Sequence, residues 1–240
     1  MTTPKLITRR ISPKNISLLD AVADIEPGAI SLHATDLDEA GRERVARFLM
    51  EHGELLRILK LRPRQGDYLR ADLRGVDFAV HCPHLQTLDV QRVVFNDSVF
   101  AHPALRDLKL VESKYVGGPQ IVIGATAPLR KVEFEECHVK ADVLTIAPES
   151  PLKVFRYSLD EDYAEECPDR FDVLGAGLET IAINACWTYT VTTSPAARRR
   201  NWKWTFRAGQ YGSVTHIDRY TNSSTGAEEE AVHHYGTRED

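Results

Sequence analysis

Nothing in this 240-residue sequence approaches the roughly eighteen consecutive apolar residues of a membrane-spanning helix. Excess positive charge is missing too. Lysine and arginine number 30 against 35 aspartates and glutamates, a net charge of −5, so no global field draws in nucleic acid or acidic lipid. Cysteine is scarce. Cys82, Cys137, Cys167 and Cys186 are widely spaced, with no C-x-x-C pair and no Cys/His grouping of zinc type. That spacing offers no disulfide framework and points to free thiols in a reducing, cytoplasmic compartment. The first ten residues, M-T-T-P-K-L-I-T-R-R, are not followed by the apolar run of a secretory leader. No G-x-S-x-G, phosphate-cradling glycine loop, H-E-x-x-H or Ser/His pair occurs. No catalytic residue, metal ligand or cofactor is therefore assigned, and the chain reads as a non-enzyme.

What the sequence does contain is a phrase that it repeats. Leu85-Gln86-Thr87-Leu88-Asp89-Val90 is followed by Leu105-Arg106-Asp107-Leu108-Lys109-Leu110, apolar-x-x-apolar-x-apolar both times. The same phrase starts at Leu56, Leu129, Leu152 and Leu178, with a weak copy in Ala29-Ile30-Ser31-Leu32. With Pro27 as the slot before Ile30, the starts lie 29, 29, 20, 24, 23 and 26 residues apart. Pro83, Pro103, Pro128, Pro151 and Gly177 stand just ahead of five of them, the punctuation of a loop turning into a strand. Between the first two copies, Asp36 or Asp38 can cap a helix running to about His52. Val45, Phe48 and Leu49 give it an apolar stripe, Arg42, Glu43, Arg44 and Arg47 a polar face, and Gly53 a stop.

This pattern resembles the leucine-rich repeat family over residues 27–191, its first units the ribonuclease-inhibitor type. All six intervals fall within that family's window of roughly 20–29 residues. The resemblance implies an α/β leucine-rich repeat solenoid: a curved parallel sheet of about seven strands with a cap at each end. Residues 1–26, with a short helix near 17–23, read as the amino-terminal cap. Residues 192–220 read as a β-hairpin cap and 221–240 as a loose polar tail. The Asn or Cys that closes the turn after each strand in this family is mostly missing, though Asn96 or Cys137 can stand in. Residues 117–124 and 141–146 read as extended or irregular.

Side chains alternate across a strand, so the fourth and sixth positions of the phrase face one way and the fifth the other. The inward pairs are Ile30/Leu32, Leu59/Leu61, Leu88/Val90, Leu108/Leu110, Val132/Phe134, Phe155/Tyr157 and Ile181/Ile183, all uncharged. The outward row is Ser31, Lys60, Asp89, Lys109, Glu133, Arg156 and Ala182, in which five successive charges alternate in sign. That alternation predicts a ladder of cross-strand ion pairs, each contributing ~0–1 kcal/mol. A partner surface on this face would use Lys60, Asp89, Lys109, Glu133 and Arg156, with Arg62, Gln91 and Glu135 two residues further along their strands.

Beyond residue 192 the composition changes. Trp202, Trp204 and Phe206 share one face of an alternating stretch that follows Arg198-Arg199-Arg200. The aromatic face predicts a strand covering the last repeat, with residues 213–220 returning as a hairpin. Arg199, Trp202 and Trp204 are a second candidate contact, toward an acidic partner or, against the chain's overall charge, nucleic acid. Cys167-Pro168-Asp169-Arg170 is similar to the nucleophile motif of bacterial effector ubiquitin ligases that carry leucine-rich repeats. It falls between two repeats, where a turn is expected. The acidic cluster at 160–166 lacks the glycine and spacing of an EF-hand and reads as a solvated loop. The expected function is non-enzymatic protein–protein recognition by the repeat surface. High arginine and alanine content suggests a bacterial source, so the alternatives are a secreted effector or a ubiquitin-ligase-associated adaptor.

Overall fold

The computed structural model describes residues 5–21, 25–63, 70–124, 126–159, 167–185, 188–194, 203–208, 212–221, 224–225 and 227–236. The chain opens with β1 (Ile7–Ile11), a 3-10 turn (Ile16–Asp20), β2 (Ile30–Leu37), α1 (Glu39–His52) and β3 (Leu56–Pro63). Next come β4 (Ala71–Asp72), the one-turn α2 (Phe78–His81), β5 (Thr87–Gln91), β6 (Val93–Phe95), β7 (Asp107–Val111) and β8 (Lys114–Tyr115). They are followed by β9 (Gln120–Ile123), β10 (Lys131–Glu135), β11 (Val143–Ile146), β12 (Val154–Ser158) and β13 (Arg170–Val173). The chain continues through β14 (Thr180–Ala185), β15 (Tyr189–Thr193), β16 (Lys203–Ala208), β17 (Ser213–Thr221) and β18 (Glu228–Gly236). It is an α/β chain of mostly parallel sheet with few helices. Among the described residues no helix is long and apolar enough to cross a membrane.

A nine-stranded sheet runs β1-β2-β3-β5-β7-β10-β12-β14-β16, every pairing parallel. A six-stranded sheet runs β9-β11-β13-β15-β17-β18, parallel except for the antiparallel pair β17–β18. A short third sheet joins β4, β6 and β8. The two large sheets advance in step: β12, β14 and β16 are neighbours in one while β13, β15 and β17 are neighbours in the other. Their facing sides meet in one hydrophobic core. All fourteen side chains assigned inward by the alternation are buried. Toward the carboxy-terminal end the core is aromatic, with Phe155 and Tyr157 from one sheet packed against Phe171 of the other at 6.3 and 5.3 Å, and Phe171 against Tyr189 at 5.6 Å.

Local details explain why the elements start and stop where they do. Asp38 caps α1, its carboxylate accepting from the Gly41 N–H at 2.9 Å. Val45, Phe48 and Leu49 are buried as the stripe predicts. Arg42, assigned to the polar face, is also buried and donates to the Leu37 carbonyl at 3.3 Å. Gly53 ends α1 with φ −65°, so a left-handed cap is not its reason. A Cβ there would lie 2.5 Å from the His81 carbonyl oxygen and 2.6 Å from the Cys82 sulfur, so glycine is required by space. After β5, β7 and β10 the chain turns through Arg92, Glu112 and Glu136, all at positive φ. Each turn aims the following residue inward. Ser113 and Cys137 are buried there, Ser113 Oγ donating to the Val111 carbonyl at 2.7 Å and Cys137 Sγ to that of Leu110 at 3.1 Å. Cys137 therefore does stand at the turn after its strand. Asn96 lies further on, where its side chain caps a 3-10 turn by accepting from Ser98 N–H.

Several expectations need correction. The nine-stranded sheet gathers all seven phrase strands but adds β1 and β16 at its ends. Residues 7–11 form an edge strand of that sheet, and the short helix expected near 17–23 is a 3-10 turn at Ile16–Asp20. Leu32 and Ala34 lie opposite Leu59 and Leu61, because β2 carries irregularities between Ile30 and Ser31 and between Ala34 and Leu37. The outward residue beside Lys60 is therefore His33, not Ser31. Strands β16 and β17 do not form a hairpin; each continues a different parallel sheet. The antiparallel partner of β17 is β18, which arises from the stretch expected to be a loose tail. The acidic cluster at 160–166, Cys186, Arg199 and Trp202 lie outside the described residues.

Candidate functional site

The outer face of the nine-stranded sheet is built by the odd register positions. Its central rung, in strand order, is Arg10, His33, Lys60, Asp89, Lys109, Glu133, Arg156, Ala182 and Thr205. The next rung carries Gln91, Val111, Glu135, Ser158, Asn184 and Arg207. Parallel neighbours are about 4.8 Å apart, so charges on adjacent strands feel one another strongly.

The predicted straight ladder is mostly replaced by diagonals. Asp89 takes Arg62 at 2.6 Å, and Lys109 takes Glu135 at 2.7 Å. Long cationic side chains reach the residue two places along the next strand, which the straight-rung expectation neglects. Of the straight pairs expected, Glu133–Arg156 forms, at 2.9 Å, and Glu133 also holds Lys131 at 2.7 Å. Gln91 donates its side-chain amide at 2.7 Å to Glu112, the residue after its register partner Val111. The hydrogen bond to Glu135 holds the Lys109 ammonium above its ordinary pKa, against a smaller effect of burial. The middle of this face is thus charge-balanced from within.

The β1–β3 end is different. Arg10 and Lys60 flank His33, and among the described residues neither cation has an acidic partner within ion-pair distance. Ser31 Oγ lies 3.0 Å from His33 Nε2. Burial lowers the His33 pKa, and the charges of Lys60 and Arg10 lower it further, while Asp89 opposes them. Arg10 and His33 were missed in the sequence because β1 has an arginine, Arg9, in an inward slot and because β2 is out of step.

Of the second candidate group only Trp204 is described, and it does not face outward. It packs on Phe206 at 6.0 Å and on His216 at 5.3 Å between the sheets. These rings line a cleft of about 480 Å³ with Thr205, Asp218, His233 and Tyr235, at the carboxy-terminal end of both sheets. Thr193 Oγ1 donates to Asp218 at 3.1 Å and lies 3.1 Å from His216 Nε2, all three side chains buried. Nothing in the sequence marked this group, since His216 and Asp218 sit in a strand with little alternation of polarity.

Burial pushes the Cys82 and Cys137 thiols up to about 12, which removes thiolate at neutral pH. Cys167 is half-buried against the core, and Arg170 of the same run pairs with Asp172 at 3.0 Å. Among the described residues no group of three or more His, Cys, Asp or Glu side chains is placed to hold a metal ion. Comparison of the chain with protein-family models, with curated proteins and with solved structures found no match to any of them.

Proposed function

We propose that this chain is a non-enzymatic protein-recognition scaffold, a leucine-rich-repeat-like solenoid that receives an acidic surface of its partner on the outer face of β1–β3. The solenoid reading is supported by the recurring phrase and by two parallel sheets that advance strand by strand in step. The observation that carries the functional reading is the Arg10–His33–Lys60 rung. The cations Arg10 and Lys60 stand on either side of His33 there, whereas the neighbouring charges from Asp89 onward are engaged in ion pairs. Charged groups left over on a patterned face set encounter rate and choice of partner. The free Cys82 and Cys137 agree with a reducing compartment and hence a cytoplasmic setting.

The test is cross-linking capture from the native cell with wild type and with Arg10→Glu combined with Lys60→Glu. The proposal expects the variant to lose its principal acidic partner while keeping its melting temperature, with capture by wild type falling as salt rises. Undiminished capture by the folded double variant overturns it.

A further inference from the structure

His33 stands in the middle of the basic end of the outer-face rung and keeps one ring nitrogen unengaged. Its register neighbours are Arg10 of β1 and Lys60 of β3, on strands about 4.8 Å away to either side. The ring and Lys60 are half-buried, and Arg10 is exposed. Among the described residues Ser31, two places back on β2, is the only hydrogen-bond partner of the ring, its Oγ 3.0 Å from Nε2. A serine hydroxyl serves either state of that nitrogen. It donates to the neutral ring and, after rotating about its Cβ–Oγ bond, accepts from the protonated one. Protonation therefore breaks no contact, and it leaves the Nδ1–H donor without an acceptor among the described residues. The ring can charge where it stands.

The surroundings decide when it does so. Burial opposes the charged ring most, then Lys60 and Arg10; Asp89, on β5 beyond Lys60, favours it but is held by Arg62 at 2.6 Å. Thr8 of β1 and Ile58 of β3, which flank Ser31, carry no charge. In the free chain the ring thus stays neutral where an ordinary histidine begins to charge. An acidic surface laid on the rung reverses that balance, because its carboxylates neutralise Arg10 and Lys60 and give Nδ1–H an acceptor. We infer that docking of an acidic partner on this rung draws one proton from solvent onto His33, so that acidification tightens recognition. The sign follows from linkage. A group that binds its proton more tightly in the complex makes affinity rise as pH falls through its pKa in the complex, and the rise levels off below its pKa in the free chain. The inference rests on the protein-recognition reading and adds a regulation by pH to the same site.

The experiment uses the full chain and a labelled hexa-aspartate peptide, whose carboxylates stay ionised down to about pH 5.5. Fluorescence anisotropy at low salt is expected to show binding about fivefold tighter at about pH 5.5 than at about pH 7.5, with circular dichroism confirming the fold at each. His33→Gln is expected to match wild type at about pH 7.5 and to lose most of the gain at about pH 5.5. The NMR signal of the His33 ring, assigned by its absence from His33→Gln, is expected to titrate at higher pH with peptide bound than without. In Arg10→Glu with Lys60→Glu it is expected to titrate at higher pH even without peptide, since carboxylates replace the two cations that oppose its charge. Equal affinity at both pH values, a gain that His33→Gln keeps, or a His33 titration that neither the peptide nor the double variant moves overturns the inference and leaves the recognition reading standing. Failure of the peptide to bind wild type at either pH overturns both.

Discussion

His102 shows how one side chain can hold a loop and set its acid sensitivity. Its ring is fully buried; Nε2–H donates to the Cys82 carbonyl at 2.9 Å, and Nδ1 accepts from the Ala104 and Leu105 N–H groups at 3.0 and 2.9 Å. Those bonds demand the neutral ring. Burial lowers the His102 pKa from 6.5, outweighing the hydrogen bonds to backbone carbonyls that raise it. Below about pH 6.5 the unfolded chain therefore binds a proton that the folded chain refuses. Stability falls as pH drops through that window and levels off once the folded pKa is passed. His102→Ala is expected to cost about 3 kcal/mol at neutral pH, from buried donors and an acceptor left unmet, and to flatten the slope. Urea denaturation at about pH 7 and about pH 5.5 checks both expectations. Gly53 offers a steric counterpart. Gly53→Ala forces a methyl onto His81 and Cys82 and is expected to cost about 1–3 kcal/mol, lowering the melting temperature by several degrees. Gly75→Ala, with nothing within 4 Å of the new carbon, is the control and leaves the melt nearly unchanged.

Elements that carry their own signal were legible; their partners were not. Leu88, Val90, Leu108 and Leu110 declare both a strand and its buried face, because alternation fixes which side chains enter the core. Alternation is silent about which strand lies alongside. That is why Trp204 and Phe206 read correctly as one face of a strand, yet β16 was mated to β17 when its neighbour is β14. Strand β18 was hidden for another reason. Its Glu228, Glu229, Glu230, His233 and His234 are polar on both faces, as suits a strand with water on most of its surface. The outer-face site suffered from the irregularities in β2, which shift His33 into the rung beside Lys60. The turns after β5, β7 and β10 left no glycine to find, since Arg92, Glu112 and Glu136 take positive φ themselves. Glu112 is kept there by company. Burial opposes its ionisation, but hydrogen bonds from Arg92 and Gln91, and the charges of Arg92 and Arg70, outweigh that and hold its pKa below the ordinary carboxylate value. Glu112→Val places a β-branched residue at φ 46° and removes those contacts, and is expected to cost about 2–3 kcal/mol. Glu112→Asn tolerates the backbone and is expected to lose less, so the difference between their urea midpoints isolates the backbone cost.

Across the whole molecule, each described strand of the nine-stranded sheet pairs only with the strand one level before it and the strand one level after. Such a stack transmits stability from neighbour to neighbour, and damage at one level is felt first by the levels beside it. Phe155 tests this because it sits in the interior of the stack, with Phe134 at 6.3 Å on one side and Phe171 at 6.3 Å across the core. Phe155→Ala removes a fully buried ring and is expected to cost about 3–5 kcal/mol. Hydrogen exchange should register the loss unevenly. Amides of β10 to β14 are expected to lose most protection, while β2, α1 and β3, several levels away, keep most of theirs under mildly destabilising conditions. Uniform loss across the chain would mean that the levels melt as one cooperative body. It would also mean that the outer-face rung cannot be altered without the change being felt at the far end of the stack. Graded loss instead leaves the two ends separable, so that the effect of Arg10→Glu with Lys60→Glu stays at the end of the stack where it is made.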